Sequence, residues 1–455
     1  MLINWFSPLP PAQSGIAHNY AMQLLPALAR RHEVVLWTDQ DQVASHVQRI
    51  ARVAHYDPAA PPWREINNGT ISIYHLGNQP DLHSGIWQVS VCQPGIVVLH
   101  DLCLHDFFFM LWVHYRKDPG SYLAALERWY GAEGRQAGEA YCKGGIGAAS
   151  MAQQFPLTRE AVRGALGVVT HSGQALTELR ETPACPIASL GHPYLAAAEA
   201  HYQRWLAARK AAPGPPYRLV AFGYLSRNRR LEAVLAALAG MPERAQFRLD
   251  ICGQLWDEGN IRAHIERLGL GSLVKLLGFL PENLVEHRLS TADLAINLRY
   301  PSMGEASGSQ LQFWDYGLPT LVTRTGWYAS LPEDTTAFVR PEHEVHDIRS
   351  HLRAFLADPG AFRAMGARGR QTLESNDPAK YADALVQFAN TVWHRAPVVP
   401  ALDLAARIGR DLSAWLHPAA SAYLLDRASR EIASLTDDRR SAASASERQS
   451  GLPLA

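Results

Sequence analysis

The sequence predicts an α/β protein with two parallel sheets, each covered by helices, and a C-terminal appendage. Three observations predict it. Continuous apolar runs alternate with helix-periodic segments from Leu2 to about His394, and runs without period-two alternation mark strands buried on both faces. The chain has 455 residues, more than one hydrophobic core serves and enough for two α/β domains. Between Leu195 and Tyr217 the composition turns Ala/Arg-rich and then Pro/Gly-rich (AAPGPPY), which marks a linker.

The first strand, Leu2 to Phe6, leads through SPLPPAQSG into a helix patterned on Ile16, Tyr20, Leu24 and Leu28. Gly15 at the start of that helix either serves the turn or lets a ligand approach the backbone with no Cβ between them. Glu33–Thr38, Ile71–His75 and Gly95–His100 are the next strands; the last opens GIVVLHDLCLH and leaves His100 and Asp101 at its carboxyl end. From His105 to about Arg163 the pattern is helical. Its aromatic residues Phe107, Phe108, Phe109 and Trp112 are expected in the core rather than on a lipid- or acceptor-facing ridge. Gly167–His171 is a further strand, and LGHPY (190–194) reads as the exit of the first domain.

The second domain opens with the strand Arg218–Phe222, which runs through GYLSRNRRL into a helix. Three arginines at that helix start either form a solvated face or, beside a strand-end glycine, neutralise an anion. Phe247–Gly253, Lys275–Leu277, Asp293–Leu298 and Leu318–Val322 continue the βαβ alternation. The organising stretch is NLRYPSMGEASGSQLQFWDYGLP (297–319): strand, polar turn, one carboxylate at Glu305, a small-residue turn, and a helix closed by Gly-Leu-Pro. Read plainly this is an ordinary βα connection. In a parallel sheet it also places a helix N-terminus, which favours an anion, beside a single acid at a strand's carboxyl end.

Composition excludes several classes. Lys plus Arg and Asp plus Glu are both 43, so no global field draws the chain to nucleic acid or an acidic membrane. The five cysteines form no CxxC pair, which argues against zinc or a disulfide frame and for a reducing compartment. No basic leader precedes the first strand, and the longest apolar run, Phe107 to Val113, is too short to span a bilayer. The expected location is cytoplasmic, with the inner face of the membrane and peripheral contact left open. No metal motif or paired-aspartate signature stands out, so no cofactor and no divalent requirement are expected.

Several of these stretches together resemble the retaining glycosyltransferases of family 4. The stretch around Glu305 is similar to that family's active-site signature, SPLPPAQSGIAHNY to its N-terminal loop, YHLGNQPDLHSGIW to a segment of a family subset, and LVKLLGFLPENLV to the part whose backbone holds the nucleotide base. The resemblance spans most of residues 2–395 and implies a GT-B fold. The implied organisation is a Rossmann-like acceptor-side domain at 1–197, a linker at 198–216 and a Rossmann-like nucleotide-sugar domain at 217–377. A helix at 378–395 crosses back to the first domain, 396–435 form appended helices, and 436–455 are a disordered tail.

The resemblance also implies roles. His100, Glu305 and Arg229 would be catalytic, with Arg229 standing where relatives carry a Lys. Gly15, Arg227, Ala306, Ser307, Gly308 and Ser309 would hold donor phosphate and sugar, and Phe279, Leu280 and Gln312 the base and ribose. Ser14, Ile16 and Asp101 would lie on the acceptor side. The implied co-substrate is a nucleotide-diphosphate sugar, and the acceptor a glycan, a lipid-linked or a small-molecule hydroxyl in polysaccharide or other glycoconjugate biosynthesis. Two departures stand out: Tyr224 replaces an Arg that follows the strand-end glycine, and Phe313 replaces a second Glu. They keep open an alternative, a transferase-like partner without turnover in a glycan-assembly complex.

Overall fold

The computed structural model describes residues 1–173, 179, 185–210 and 214–395, together with residues 408, 424, 427, 430 and 431. The segments expected as appended helices (396–435) and as a tail (436–455) otherwise lie outside the described residues.

Two all-parallel sheets form the frame. The first has seven strands in the order β3-β2-β1-β4-β5-β6-β7: β1 Leu2–Phe6, β2 Glu33–Thr38, β3 Arg52–His55, β4 Ile71–Leu76, β5 Ile96–Leu99, β6 Gly167–Thr170 and β7 Ile187–Ser189. The second has six in the order β10-β9-β8-β11-β12-β13: β8 Tyr217–Phe222, β9 Phe247–Cys252, β10 Val274–Gly278, β11 Leu294–Asn297, β12 Thr320–Thr323 and β13 Ala337–Val339. The chain therefore folds as a GT-B protein, with two Rossmann-like layers of helices on parallel strands. In each sheet the strand order reverses beside the first strand, between β1 and β4 and between β8 and β11. Such switch points open crevices at the carboxyl ends of the strands.

Three strands went unanticipated because each is either poorly buried or too short to show an apolar run. β3 is an edge strand whose end residues Arg52 and His55 are exposed, β7 is an edge of three residues, and β13 is three residues long. Of the aromatic run, Phe107, Phe108 and Trp112 are core, as expected, with Trp87 edge-on to Phe108 at 5.1 Å and Phe108 stacked on Trp112 at 4.8 Å, while Phe109 is half-buried against them.

The stretch expected to be a linker is helical over Glu199–Lys210. Its Trp205 stacks on Tyr316 at 4.0 Å and donates to Glu286, while Arg209 donates to the carbonyls of Tyr316 and Gly317. These tertiary partners outweigh a weakly amphipathic sequence. The helix Pro378–Val392, capped by Asp377, buries Tyr381, Leu385, Ala389 and Val392 with Leu24 and Leu28 of the helix Met22–Ala29. The second sheet is thereby tied back to the first. Among the described residues no helix is long and apolar enough to cross a membrane.

Close packing under the candidate site rests on a glycine. A Cβ at Gly366 would meet the Gly317 carbonyl oxygen at 2.2 Å and the Leu318–Pro319 backbone at 2.7 Å. Backbone cannot yield as a side-chain tip can, so Gly366→Ala is expected to cost about 1–3 kcal/mol by overpacking. A lowered urea midpoint with unchanged slope is the result to look for.

Candidate functional site

The cleft between the sheets is lined from the second sheet by the turns after β8 and β11. After β8 the chain passes Gly223 and makes a tight turn, Arg227–Arg229. Arg230 leaves the site to pair with Glu344 at 2.6 Å, and Arg227 is exposed. Only Arg229 turns inward, with 5% of its surface exposed. Its guanidinium donates to Asn297 Oδ1 at 2.6 Å and, at 3.3 Å each, to the carbonyls of Phe222 and Tyr224 and to Ser309 Oγ. Every one of these acceptors is neutral. Burial, with the neighbouring Arg299, pulls the Arg229 guanidinium down to about 10, still a cation at neutral pH.

The helix Gly308–Asp315 begins beside this cation. Ser307 caps it, accepting from the Gln310 amide at 3.1 Å, and the first amides of the turn have no carbonyl partner within the helix. Asn297, at the end of β11, ties the two parts together: it accepts from Arg229 and donates to Gln310 Oε1 at 2.9 Å, while Gln310 donates to Thr320. A buried cation hydrogen-bonded only to neutral groups and set beside helix-end amides has the chemistry to receive an anion.

Glu305 sits before that helix. Arg299 Nη1 lies 2.6 Å from its Oε1, and the Met303 amide donates to its Oε2 at 2.7 Å. The same loop touches the first sheet, since the Leu102 and Cys103 amides both donate to the Met303 carbonyl, at 2.8 and 2.9 Å. Gly308 lies close to Asn19 of the helical turn Ile16–Ala21.

The first-sheet wall is a nest of imidazoles at the ends of β4, β5, β6 and β7. His75 Nδ1 and His100 Nε2 share a 3.0 Å hydrogen bond. The Tyr20 ring lies 4.6 Å from that of His100, 5.2 Å from His75, 5.4 Å from His171 and 5.5 Å from His192, with its hydroxyl 2.8 Å from that of Tyr381. Burial, then the neighbouring rings, holds His100 well below the usual histidine range, so it is a neutral hydrogen-bonding group. Asp101 accepts from the Asn78 amide at 2.7 Å; burial first, and then the Glu305 charge, pushes its carboxyl up to about 7.

The structure thus brings together His100, Asp101, Glu305, Arg229, Ser307, Gly308 and Ser309 around one cleft. Gly15 is exposed with nothing within 4 Å of its would-be Cβ, and its backbone (φ −60°, ψ −29°) is ordinary helix. The turn therefore does not require glycine, and the backbone there is open to approach. Ser14 Oγ accepts from the Ile16 amide, and Ile16 reaches toward Gly77 beside Asp101. Phe279 is 74% exposed. Leu280 instead packs partly into the cluster of Val285, Leu289 and Phe313, and Ala306 packs against Leu311 and Trp327. Gln312 is half-buried, whereas Phe313 is fully buried, edge-on to Phe222 at 6.4 Å.

Arg227 does not join the site: the turn exposes it, and Arg299 is the second cation in the cleft. Sequence reasoning passed over Arg299, although it stands directly after the strand that leads to Glu305; a charged residue closing a buried apolar run was the available signal. His75, His171, His192 and Tyr20 were missed because their meeting depends on strand order. Among the described residues no group of three or more His, Cys, Asp or Glu is arranged to hold a metal ion.

Residues 205–372 match the family model described as glycosyl transferases group 1. No curated protein matches the chain. Similar solved structures include HepE of Anabaena in complex with UDP and glucose, with 12% identity, 85% of this chain and 99% of that chain covered and a TM-score of 0.58. A sucrose-phosphate synthase from Thermosynechococcus elongatus shares 15% identity over 86% of this chain and 99% of that one, TM-score 0.59. WaaG, a glycosyltransferase involved in lipopolysaccharide biosynthesis, shares 15% over 86% and 99%, TM-score 0.53. At these identities the likeness is one of fold, and the family match falls on the segment that carries Arg229 and Glu305.

Proposed function

We propose that this glycosyltransferase moves a hexosyl unit from a nucleotide-diphosphate sugar to an acceptor hydroxyl with retention at the anomeric carbon. The observation that carries the reading is Arg229, a buried guanidinium bonded only to neutral acceptors beside a helix N-terminus. Such a group calls for an anionic ligand. HepE binds UDP and glucose in its crystal structure, which makes UDP-glucose the first donor to test.

In this reading the leaving diphosphate lies between Arg229, the amides at Gly308 and Ser309, and the Gly15 backbone. The bond from the anomeric carbon to the phosphate oxygen lengthens, and negative charge gathers where fixed donors already point, the place where preorganised electrostatics lower a barrier most. Glu305 and neutral His100 hold sugar hydroxyls from opposite walls. The acceptor oxygen attacks on the face the diphosphate leaves; the carbon–oxygen bond to it forms as the old one breaks, and its proton passes to the departing phosphate oxygen. Asp101, Ser14 and Ile16 lie where the acceptor would enter. Phe279 offers an exposed ring to the base. With Phe313 in the core, ribose recognition falls to Gln312 or to the backbone.

The test is nucleoside-diphosphate release from a panel of nucleotide sugars, with Glu305→Gln as control. The expected result is release by the wild type from at least one donor and loss of release in the variant. No release and no thermal shift with any donor would sink the transferase reading in favour of a non-catalytic glycan-assembly partner; full turnover in Glu305→Gln would make Glu305 structural.

A further inference from the structure

Resting on the reading of residues 297–309 as the donor site, we propose that Arg299 is a positioning residue that aims Glu305 into the cleft, working against a second hold on the same loop from the first sheet.

Arg299 emerges from β11 at the switch point of the second sheet. Its backbone amide donates to Thr323 Oγ1 at 2.9 Å, so its Cα is fixed by the end of β12. Its side chain is 17% exposed and that of Glu305 10% exposed, which makes their 2.6 Å ion pair a largely desolvated one. The two arginines of the cleft are satisfied differently. Arg229 spends its N–H groups on carbonyls, an amide and a hydroxyl, whereas Arg299 leaves a buried Nε without a partner and directs Nη1 at Glu305. Burial works against the charge of the Arg299 guanidinium, but the Glu305 carboxylate and the Tyr328 hydroxyl beside it outweigh burial and raise it above its ordinary range. Arg299 is therefore the cation that answers Glu305, and Arg229 stays available for the diphosphate.

The loop carrying Glu305 is held from the other side as well. Met303 presents its amide to Glu305 Oε2 and its carbonyl to the amides of Leu102 and Cys103. Gly304 has φ +78°, and a Cβ there would lie 2.3 Å from Leu102 Cβ, so the loop reaches the first sheet only because residue 304 has no side chain. Oε1 of Glu305 is thus paired in charge with a guanidinium but accepts no hydrogen bond among the described residues, and Oε2 accepts from the Met303 amide and, at 3.5 Å, from the Ser302 hydroxyl. A carboxylate accepts at about four lone-pair positions, and the remaining ones are left for sugar hydroxyls. Without Arg299, Glu305 would face Asp101 with no nearby cation but Arg229, and pairing there would withdraw it from the sugar.

Arg299 acts through another residue, so the test separates kcat from donor binding. In steady-state assays with the donor the wild type uses, Arg299→Gln is expected to lower kcat about tenfold, with the affinity for the matching nucleoside diphosphate by calorimetry kept within about threefold. Arg299→Lys, which restores the charge, should recover kcat to within about threefold of wild type. Gly304→Ala breaks the opposite hold and should show the same split; it carries the test if Arg299→Gln does not fold. Wild-type kcat in Arg299→Gln or in Gly304→Ala would overturn the proposal. So would a loss of diphosphate affinity matching the loss of kcat, which would make Arg299 a phosphate ligand, or a lysine variant as slow as the glutamine one. A wild type that releases no diphosphate fails the donor-site reading itself, whereas an active wild type with any of these variant results fails only the role of Arg299.

Discussion

Arg229→Ala is expected to lower kcat/KM for the nucleotide sugar by ten- to a hundredfold. The guanidinium is buried, its acceptors are neutral, and Glu305 is already answered by Arg299. An arriving diphosphate would therefore find an uncompensated charge. A hydrogen bond to a charged group contributes about 1.5–3 kcal/mol, and each 1.4 kcal/mol is about a factor of ten, so loss of a single such bond accounts for the range. The charge that develops on the leaving group strengthens the contact in the transition state, and kcat should fall at least as much as KM rises. Steady-state kinetics of Arg229→Ala beside wild type decides it: an unchanged kcat/KM would remove Arg229 from the site. A modest parallel loss of stability is expected too, because Asn297 Oδ1 loses its strongest donor.

Folding stability should fall steeply as the pH drops from 6.5 toward 4. Burial holds His83, His105 and His192 at about 4 and His171 at about 3, and places His75 and His100 well below the ordinary value of 6.5. Between those limits the unfolded chain binds protons that the folded chain refuses. The stability of these neutral rings is complete above pH 6.5 and is lost as the pH falls toward 4. Each such histidine removes about 2 kcal/mol by pH 5. Asp101, raised to about 7, works in the opposite sense over the same window, one group against several.

Urea unfolding at pH 7 and pH 5 measures the difference, and equal midpoints would refute the prediction. His105 offers a variant away from the cleft, where it donates to the Phe155 carbonyl and accepts from Tyr122. His105→Gln should make the loss shallower by about one histidine's share.

Much of this architecture is legible in the chain because it is local. The strands β1, β2, β4, β5, β6, β8, β11 and β12 are short, largely buried apolar runs between turn residues, and β9 and β10, where Arg248, Asp250 and Lys275 break the run, are marked by the same βα alternation. The loop-to-helix stretch around Glu305 is equally local: Ser307 caps the helix three residues before the amide it accepts. The edge strands β3 and β7 escaped because none of their residues is buried deeply enough to impose an apolar pattern, and β13 because three residues are too few to show one. The helix Glu199–Lys210 escaped because Tyr316, Gly317 and Glu286, all distant in sequence, hold it in place.

By itself the sequence determined two parallel α/β layers, a strand-end acid at Glu305, a histidine and an aspartate after β5, and an arginine-rich turn after β8. Each follows from short-range periodicity, turn chemistry or motif spacing, which one continuous stretch of chain can carry. Tertiary structure alone decided which arginine turns into the cleft, that Arg299 answers Glu305, and that four imidazoles gather on Tyr20. Those outcomes depend on the order in which strands lie side by side and on how two sheets close on one cleft. A buried charge is fixed by the partners that three-dimensional packing supplies, and these come from strands and loops far apart in the chain.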